Sequence, residues 1–374
     1  MSKLGIYIHV PFCRQKCLYC DFCSFTGRDG EGISEYVSAL CREIESRADS
    51  CRGYSVDTVY FGGGTPTLMS ARDFERVLDR LYSLYSIEGD CEISSECNPA
   101  TADGEYLRAL RTLGVNRLSI GLQSANDNEL RALGRIHSYA DFVEIYKNAR
   151  RAGFENISAD LMYGIPLQTA ESFEYTLERL TALSPEHISA YGLKIEQGTP
   201  FGKMREKLVL PDEDAEYDMY MRCTEYLACA GYDKYEISNF ARRGYESRHN
   251  VKYWKCEPYL GFGVSAHSYF EHERFSNSRD IEGYIGGFDI IAERRRIDAS
   301  ERIAEYVMLG MRMREGISRS LFEEKFGKSF DLLYGGALER YISAGYVISE
   351  RDRVFFSDKG FFISNYILSD ILDF

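Results

Sequence analysis

Cys13, Cys17 and Cys20 stand at C-x3-C-x2-C spacing in the run from Tyr7 to Cys20. That spacing lets one short loop wrap three thiolates around a single small body. Soft thiolates select zinc, copper(I) or iron–sulfur clusters. A closed zinc site or an ordinary [4Fe–4S] cluster takes four ligands. Three protein ligands therefore leave one cluster iron open, and an open metal position is where chemistry happens. A zinc knuckle or loose reduced thiols are the alternatives. The loop follows an apolar strand, Leu4 to Val10. It therefore sits at that strand's C-terminal end, the active face of barrels built from parallel strands.

The elements that must position this loop alternate in type. Strand-like runs are Leu4–Val10, Asp57–Phe61, Cys91–Glu96, Arg117–Gly121, Asn156–Leu161 and His187–Tyr191. Helical periodicity lies between them at Ser34–Ala48, Ala71–Tyr85, Gly104–Leu113, Ala140–Ala152 and Ala170–Leu183. Such alternation predicts β/α units and a parallel sheet, and six strands fall short of a closed eight-stranded barrel. Pro211–Gly231 reads as a long helix, 232–298 as a mixed connecting region, and Arg294–Arg296 as a solvated helix end. Three helical patterns, Arg302–Arg314, Arg319–Phe326 and Leu332–Ala344, precede a hairpin, Tyr346–Ile348 with Val354–Phe356. The reading is α/β: a core over 1–231, a connector over 232–298 and a small α+β winged-helix-like domain over 299–374.

The chain has 374 residues, 44% of them apolar, so a substantial core can be buried. A net charge of −13 argues against nucleic acid or an anionic membrane as the main partner. Eleven cysteines and no secretory leader point to reduced thiols and metal, not a disulfide framework. No run approaches the ~20 apolar residues of a membrane span. The expected location is the cytoplasm, with any membrane association peripheral and through client proteins.

The cysteine loop resembles the signature of the radical S-adenosylmethionine (SAM) superfamily, C-x3-C-x-(aromatic)-C, with Tyr19 in the aromatic position. The resemblance implies an open (β/α)6 partial barrel. It also implies a [4Fe–4S] cluster on Cys13, Cys17 and Cys20, whose fourth iron binds the amino and carboxylate groups of SAM. One electron then cleaves SAM to a 5′-deoxyadenosyl radical. Gly62-Gly63-Gly64-Thr65-Pro66-Thr67 follows the second strand, and three glycines let backbone amides approach a ligand closely. It is similar to the GGGTPT motif of the coproporphyrinogen III dehydrogenase (HemN-like) branch, which contacts SAM. By the same resemblance Glu96, Gln123, Arg135 and Asp160, at or near successive strand ends, support SAM, and Arg135 can pair with its carboxylate. Tyr7 and Tyr19 flank cluster and cofactor. Taken singly, each of these residues could equally be a surface or capping group.

His249-Asn250-Val251-Lys252-Tyr253-Trp254 holds the chain's single Trp. A histidine with aromatic neighbours can ligate haem iron while the rings stack on a macrocycle; such a group can also be plain packing. The run resembles the HNxxYW motif of the HemW group, which looks like the dehydrogenases but acts as haem chaperones. The resemblance spans nearly the whole chain. It implies haem as a third cofactor, contacted by His249, Tyr253 and Trp254, and haem-accepting proteins as partners. His249 is the expected iron ligand, with His267 and Cys23 as alternatives. The dehydrogenase pattern has a fourth Cys two residues after the third, where this chain has Phe22, and a longer segment before the cysteines than the twelve residues here. These departures favour a chaperone over oxidative decarboxylation of coproporphyrinogen III. No residue is assigned a catalytic role, and the oligomeric state stays open.

Overall fold

The computed structural model describes residues 1–288 and 290–372. Asp289, Asp373 and Phe374, which the 232–298 and 299–374 divisions include, lie outside the described residues. Six parallel strands form the centre: β1 (Ser2–Val10), β2 (Tyr54–Gly63), β3 (Ile87–Cys97), β4 (Arg117–Gln123), β5 (Asn156–Tyr163) and β6 (His187–Gly192). Between them run α1 (Gly30–Arg47), α2 (Ala71–Leu84), α3 (Gly104–Thr112), α4 (Asp127–Ala132), α5 (Tyr139–Arg151) and α6 (Ala170–Thr181). Of these, α4 gave no periodic signal in the sequence, being a single capped turn and a half.

Period-2 alternation sorts the strands' two faces. One row is apolar and buried against the helices: Leu4, Ile6, Ile8, Val10, Val59, Phe61, Ile93, Leu118, Ile120, Ile157, Ala159 and Ile188. The other row is polar and turns inward: Tyr7, His9, Tyr60, Glu96, Arg117, Ser119, Asp160 and Ser189 share that face through the strand register. The barrel therefore has a greasy jacket and a polar lumen.

The stretch read as a connector belongs to the same sheet. After α7 (Pro200–Lys203) and α8 (Glu213–Cys229), β7 (Asp233–Lys234) and β8 (Asn239–Ala241) extend the β6 edge antiparallel. After α9 (Arg248–Trp254), β9 (Tyr259–Phe262) pairs parallel with β1 on the opposite edge. β10 (His267–Phe270), β11 (Glu273–Asn277) and, after α10 (Ile281–Gly286), β12 (Ile291–Arg296) continue outward. Among the described residues the sheet has twelve strands, in order β12-β11-β10-β9-β1-β2-β3-β4-β5-β6-β8-β7. Arg294–Arg296 is thus an exposed edge strand, not a helix end. A charged edge blunts strand-to-strand aggregation, and charge alone carries no periodicity.

The C-terminal unit comprises α11 (Ala299–Gly310), β13 (Ile317–Ser318), α12 (Arg319–Phe326), α13 (Gly336–Ser343), β14 (Val347–Glu350), β15 (Arg353–Phe356), α14 (Asp358–Phe362) and α15 (Ser364–Ile371). Its three short strands make their own antiparallel sheet over a separate apolar cluster. The expected hairpin is there; the third strand and the last two helices were not read from the sequence. Among the described residues no helix is long and apolar enough to cross a membrane.

Candidate functional site at the C-terminal ends of the strands

The cysteine loop leaves β1 at Val10 and is tied down at several points. Cys13 N donates to Phe25 O (2.9 Å), Phe25 N to Pro11 O (2.7 Å), and Leu18 N to Leu133 O (3.1 Å). Arg14 Nη1 donates to Ala100 O (2.6 Å) and Gln15 Nε2 to Gly134 O (3.1 Å). The three thiols stay partly open to solvent. Two donors aim at sulfur: Thr65 Oγ1 at Cys13 Sγ (3.6 Å) and Arg135 Nη1 at Cys17 Sγ (3.5 Å).

The glycine turn presses against this loop. Gly64 N donates to Val10 O (2.8 Å) and Thr65 N to Phe12 O (2.7 Å). A Cβ at Gly64 would meet Phe12 O at 2.6 Å. Gly63 has φ +109°, and a Cβ there would strike the His9 ring at 2.4 Å. Both positions therefore need glycine, Gly63 for its left-handed backbone and both for close approach.

Glu96, at the end of β3, accepts from Gly63 N (3.1 Å) and Tyr60 Oη (3.1 Å). Burial, then the neighbouring Asp160, pushes its carboxyl up to about 7. An ammonium brought beside it would restore the carboxylate charge. Asp160 is also raised by burial and accepts from Ser119 Oγ at 3.0 Å. Gln123 takes φ +70° at the end of β4, and its Oε1 is buried without a partner. Arg135 donates to Gly121 O (3.2 Å), while its Nε is also buried and unpartnered. Tyr19 packs over Leu133, Met162, Ile165 and Phe201. Among the described residues no three His, Cys, Asp or Glu side chains converge tightly enough to hold a single metal ion; three thiols spread along one loop suit the larger body of a cluster, and the glycine cradle with unpartnered amide and guanidinium atoms suits a small zwitterion.

Residues the sequence reading missed complete the arrangement. His9 Nε2 lies 2.8 Å from Cys23 O and its Nδ1 3.0 Å from Tyr7 Oη. A carbonyl only accepts, so Nε2 carries the proton and Nδ1 accepts from the tyrosine. His9 thus pins the far side of the cysteine loop. The period-2 row Tyr7-x-His9 with Tyr60 was the signal that could have found it.

The His249 motif lies below this face, toward the N-terminal ends of the strands. Glu92 of β3 accepts from Arg248 N and His249 N (both 3.2 Å), capping α9. Lys252 pairs with Asp57 (2.8 Å) and Glu257 (3.0 Å). His249 is 1% exposed. Its Nδ1 stands 2.9 Å from Thr58 Oγ1 and its Nε2 2.7 Å from Tyr253 Oη, and its ring stacks on Tyr60 at 5.3 Å. Both nitrogens are engaged, so ligating iron would require one of these bonds to be given up. His267 is exposed on β10, and Cys23 is half-buried with its carbonyl held by His9. Tyr253 meets His249 and Tyr259 edge-on. Trp254 turns toward Arg312 of the C-terminal unit, 6.0 Å from ring centre to guanidinium carbon.

Comparison with known proteins accords with this geometry. Residues 7–180 match the radical SAM superfamily and residues 297–363 the HemN C-terminal domain. The chain is 35% identical to the heme chaperone HemW of Bacillus subtilis (strain 168) over 98% of both chains. It is 34% identical to that of Lactococcus lactis subsp. lactis (strain IL1403), over 98% of this chain and 96% of the relative. The chain belongs to the HemW family of the radical SAM superfamily. The family implies a [4Fe–4S] cluster and SAM, and the strand-end residues above fit both. The solved coproporphyrinogen III oxidase (HemN) from Escherichia coli superposes with a TM-score of 0.86 at 24% identity, covering 99% of this chain and 90% of that one. In this HemW-family chain that likeness carries the fold alone.

Burial of so many titratable groups has a testable consequence. His9 and His137 are pushed down to about 4, His249 to about 3, and His187 well below its usual value, all by burial. Glu96 and Glu236 are pushed up to about 7, again by burial. Between pH 6 and 5 the unfolded chain binds more protons on four histidines, and the folded chain more on two carboxyls. The histidines outnumber the carboxyls, so apoprotein stability should fall on acidification through this window. Urea unfolding at the two pH values measures it; equal or greater stability at pH 5 would refute the balance.

Proposed function

We propose that this protein is a cytoplasmic haem chaperone: it holds a [4Fe–4S] cluster and SAM, binds haem, and delivers haem to haem-dependent proteins. The observation that carries the reading is 35% identity across 98% of a chain named heme chaperone HemW. Phe22, 66% exposed, stands where the dehydrogenase pattern has its fourth cysteine. In this reading Cys13, Cys17 and Cys20 hold the cluster. Gly63, Gly64, Thr65, Glu96, Gln123, Arg135 and Asp160 hold SAM, with Tyr7 and Tyr19 at its flanks. His249 fixes the floor beneath Tyr60, and Tyr253 and Trp254 offer ring faces to the macrocycle. Cluster and SAM together supply one-electron cleavage of a carbon–sulfur bond. The chain's own part is to seat the amino and carboxylate ends and to hold the three thiols on one loop.

Anaerobically reconstituted protein should bind haem with a defined Soret band and leave coproporphyrinogen III unconverted in the presence of SAM and a low-potential reductant. His249→Ala should weaken haem without moving the Soret maximum, because both its ring nitrogens serve the protein. A shifted Soret band would make His249 an iron ligand. Formation of protoporphyrinogen IX would replace the chaperone reading with that of an oxygen-independent coproporphyrinogen III oxidase.

A further inference from the structure

Arg117 opens β4 with its side chain on the inward row. It is 1% exposed and the bulkiest of the fully buried side chains. Its Nε has no hydrogen-bond partner, and among the described residues no carboxylate stands at ion-pair distance from its guanidinium. Asp160, the acid whose charge it most directly offsets within the lumen, is bonded by Ser119 at 3.0 and 3.3 Å instead. Burying a charge with no bonded counter-charge is costly, so an anion brought within reach of this guanidinium's fork would be favoured.

Its surroundings say the same. Ser94, its direct partner across the β3–β4 ladder, has a buried Oγ without a partner. Glu96 stands one inward step above Ser94 on β3. Asn239 Oδ1, on β8 beside the inward Ser189 of β6, is likewise buried and unpartnered. Tyr191, on the same inward row of β6 and raised by burial and by Asp160, keeps 41% exposure. Buried polar atoms are ordinarily hydrogen-bonded, so Arg117 Nε and Ser94 Oγ, neighbours across one ladder, mark an unmet polar demand in the lumen.

We infer that Arg117 is an anion seat in the barrel lumen, one layer beneath Glu96, and that it receives a carboxylate of the bound ligand through its two-pronged fork. Two carriers of a carboxylate come within the proposed function: a propionate of haem and the methionyl end of SAM. The first rests on the proposed haem binding; the seat itself does not.

The test titrates cluster-replete wild type, Arg117→Gln and Arg117→Lys with haem, with haem dimethyl ester, and with SAM. Wild type should bind haem about tenfold or more tighter than the ester, the worth of a charged hydrogen bond. Arg117→Gln should abolish that preference while leaving ester affinity unchanged. Arg117→Lys, which keeps the charge and loses the fork, should retain part of it, an effect that packing alone would not produce. If the ester preference survives in Arg117→Gln and SAM affinity falls about tenfold instead, the seat stands and SAM is its occupant. If wild type binds no haem, the haem function fails and the SAM titration alone decides Arg117. If a folded Arg117→Gln keeps both the ester preference and the SAM affinity, the inference is overturned. Should that variant not fold, Arg117→Lys decides by the same two comparisons.

Discussion

Cys17→Ala, reconstituted anaerobically with iron and sulfide, should come back nearly free of both, while Cys23→Ala keeps the full complement. Cys17 lies in the middle of the loop, receives the Arg135 guanidinium on its sulfur, and anchors the turn to Cys20 through its carbonyl (3.2 Å). Losing one of three thiolates leaves two ligands, too few to hold a cluster that ordinarily takes four. Cys23 contributes to the same loop by its backbone, not its sulfur. His9 holds its carbonyl, and its sulfur falls outside the C-x3-C-x2-C spacing. Iron and acid-labile sulfide counted per chain decide the matter. A cluster that survives Cys17→Ala and disappears in Cys23→Ala would reverse the ligand assignment.

Why the cysteines were readable and His9 was not has a physical answer. Metal-binding loops concentrate their chemistry in a few residues of fixed spacing, so Cys13, Cys17 and Cys20 announce themselves in one line of sequence. Gly63 and Gly64 do so too, because close approach of two backbones admits one residue type. The alternating strands and helices were legible through apolar periodicity, which is how β1 to β6 were found. The lumen was not, because its residues are polar on strands whose other row supplies the visible signal. Arg117 in particular reads as a surface charge until the register shows it facing inward. Residues 232–298 failed for another reason. Their strands are short, and they are strands only because β1 and β6 offer edges to pair with. Non-local pairing of that kind leaves little trace in local composition.

In cluster-replete protein, Arg135→Ala should lower SAM affinity by roughly tenfold to a hundredfold, the cost of removing a charged hydrogen-bond donor. Arg135 is buried, bonds Gly121 O and Cys17 Sγ, and keeps Nε unpartnered at the strand ends. Glu96→Ala should cost a similar factor, because it removes the acceptor that Gly63 N–H and Tyr60 share. Equilibrium binding of SAM, with iron content checked in each preparation, separates loss of the cofactor site from loss of the cluster. Unchanged SAM affinity in both variants with cluster intact would remove these residues from the site. Arg135→Lys should recover only part of the loss, since an ammonium cannot present the planar fork.

The sheet's own wiring sets an order of events in the cell. β1 is made well before its outer neighbour β9, with which it pairs Gly5 to Tyr259 and Ile8 to Phe262. Until β9 has been made, the strand that launches the cysteine loop has one bare edge. Such distant pairing is slow to form and leaves nascent chains prone to sticking. The stopper helix α9, which braces Gly5, Thr58 and Glu92 from below, arrives just before β9 and so belongs to the same late step. The floor and outer edge beside the cysteine loop are thus completed only when this late segment is in place. A fragment ending near residue 231 would carry all three cysteines and still lack the edge and the floor that shape their loop.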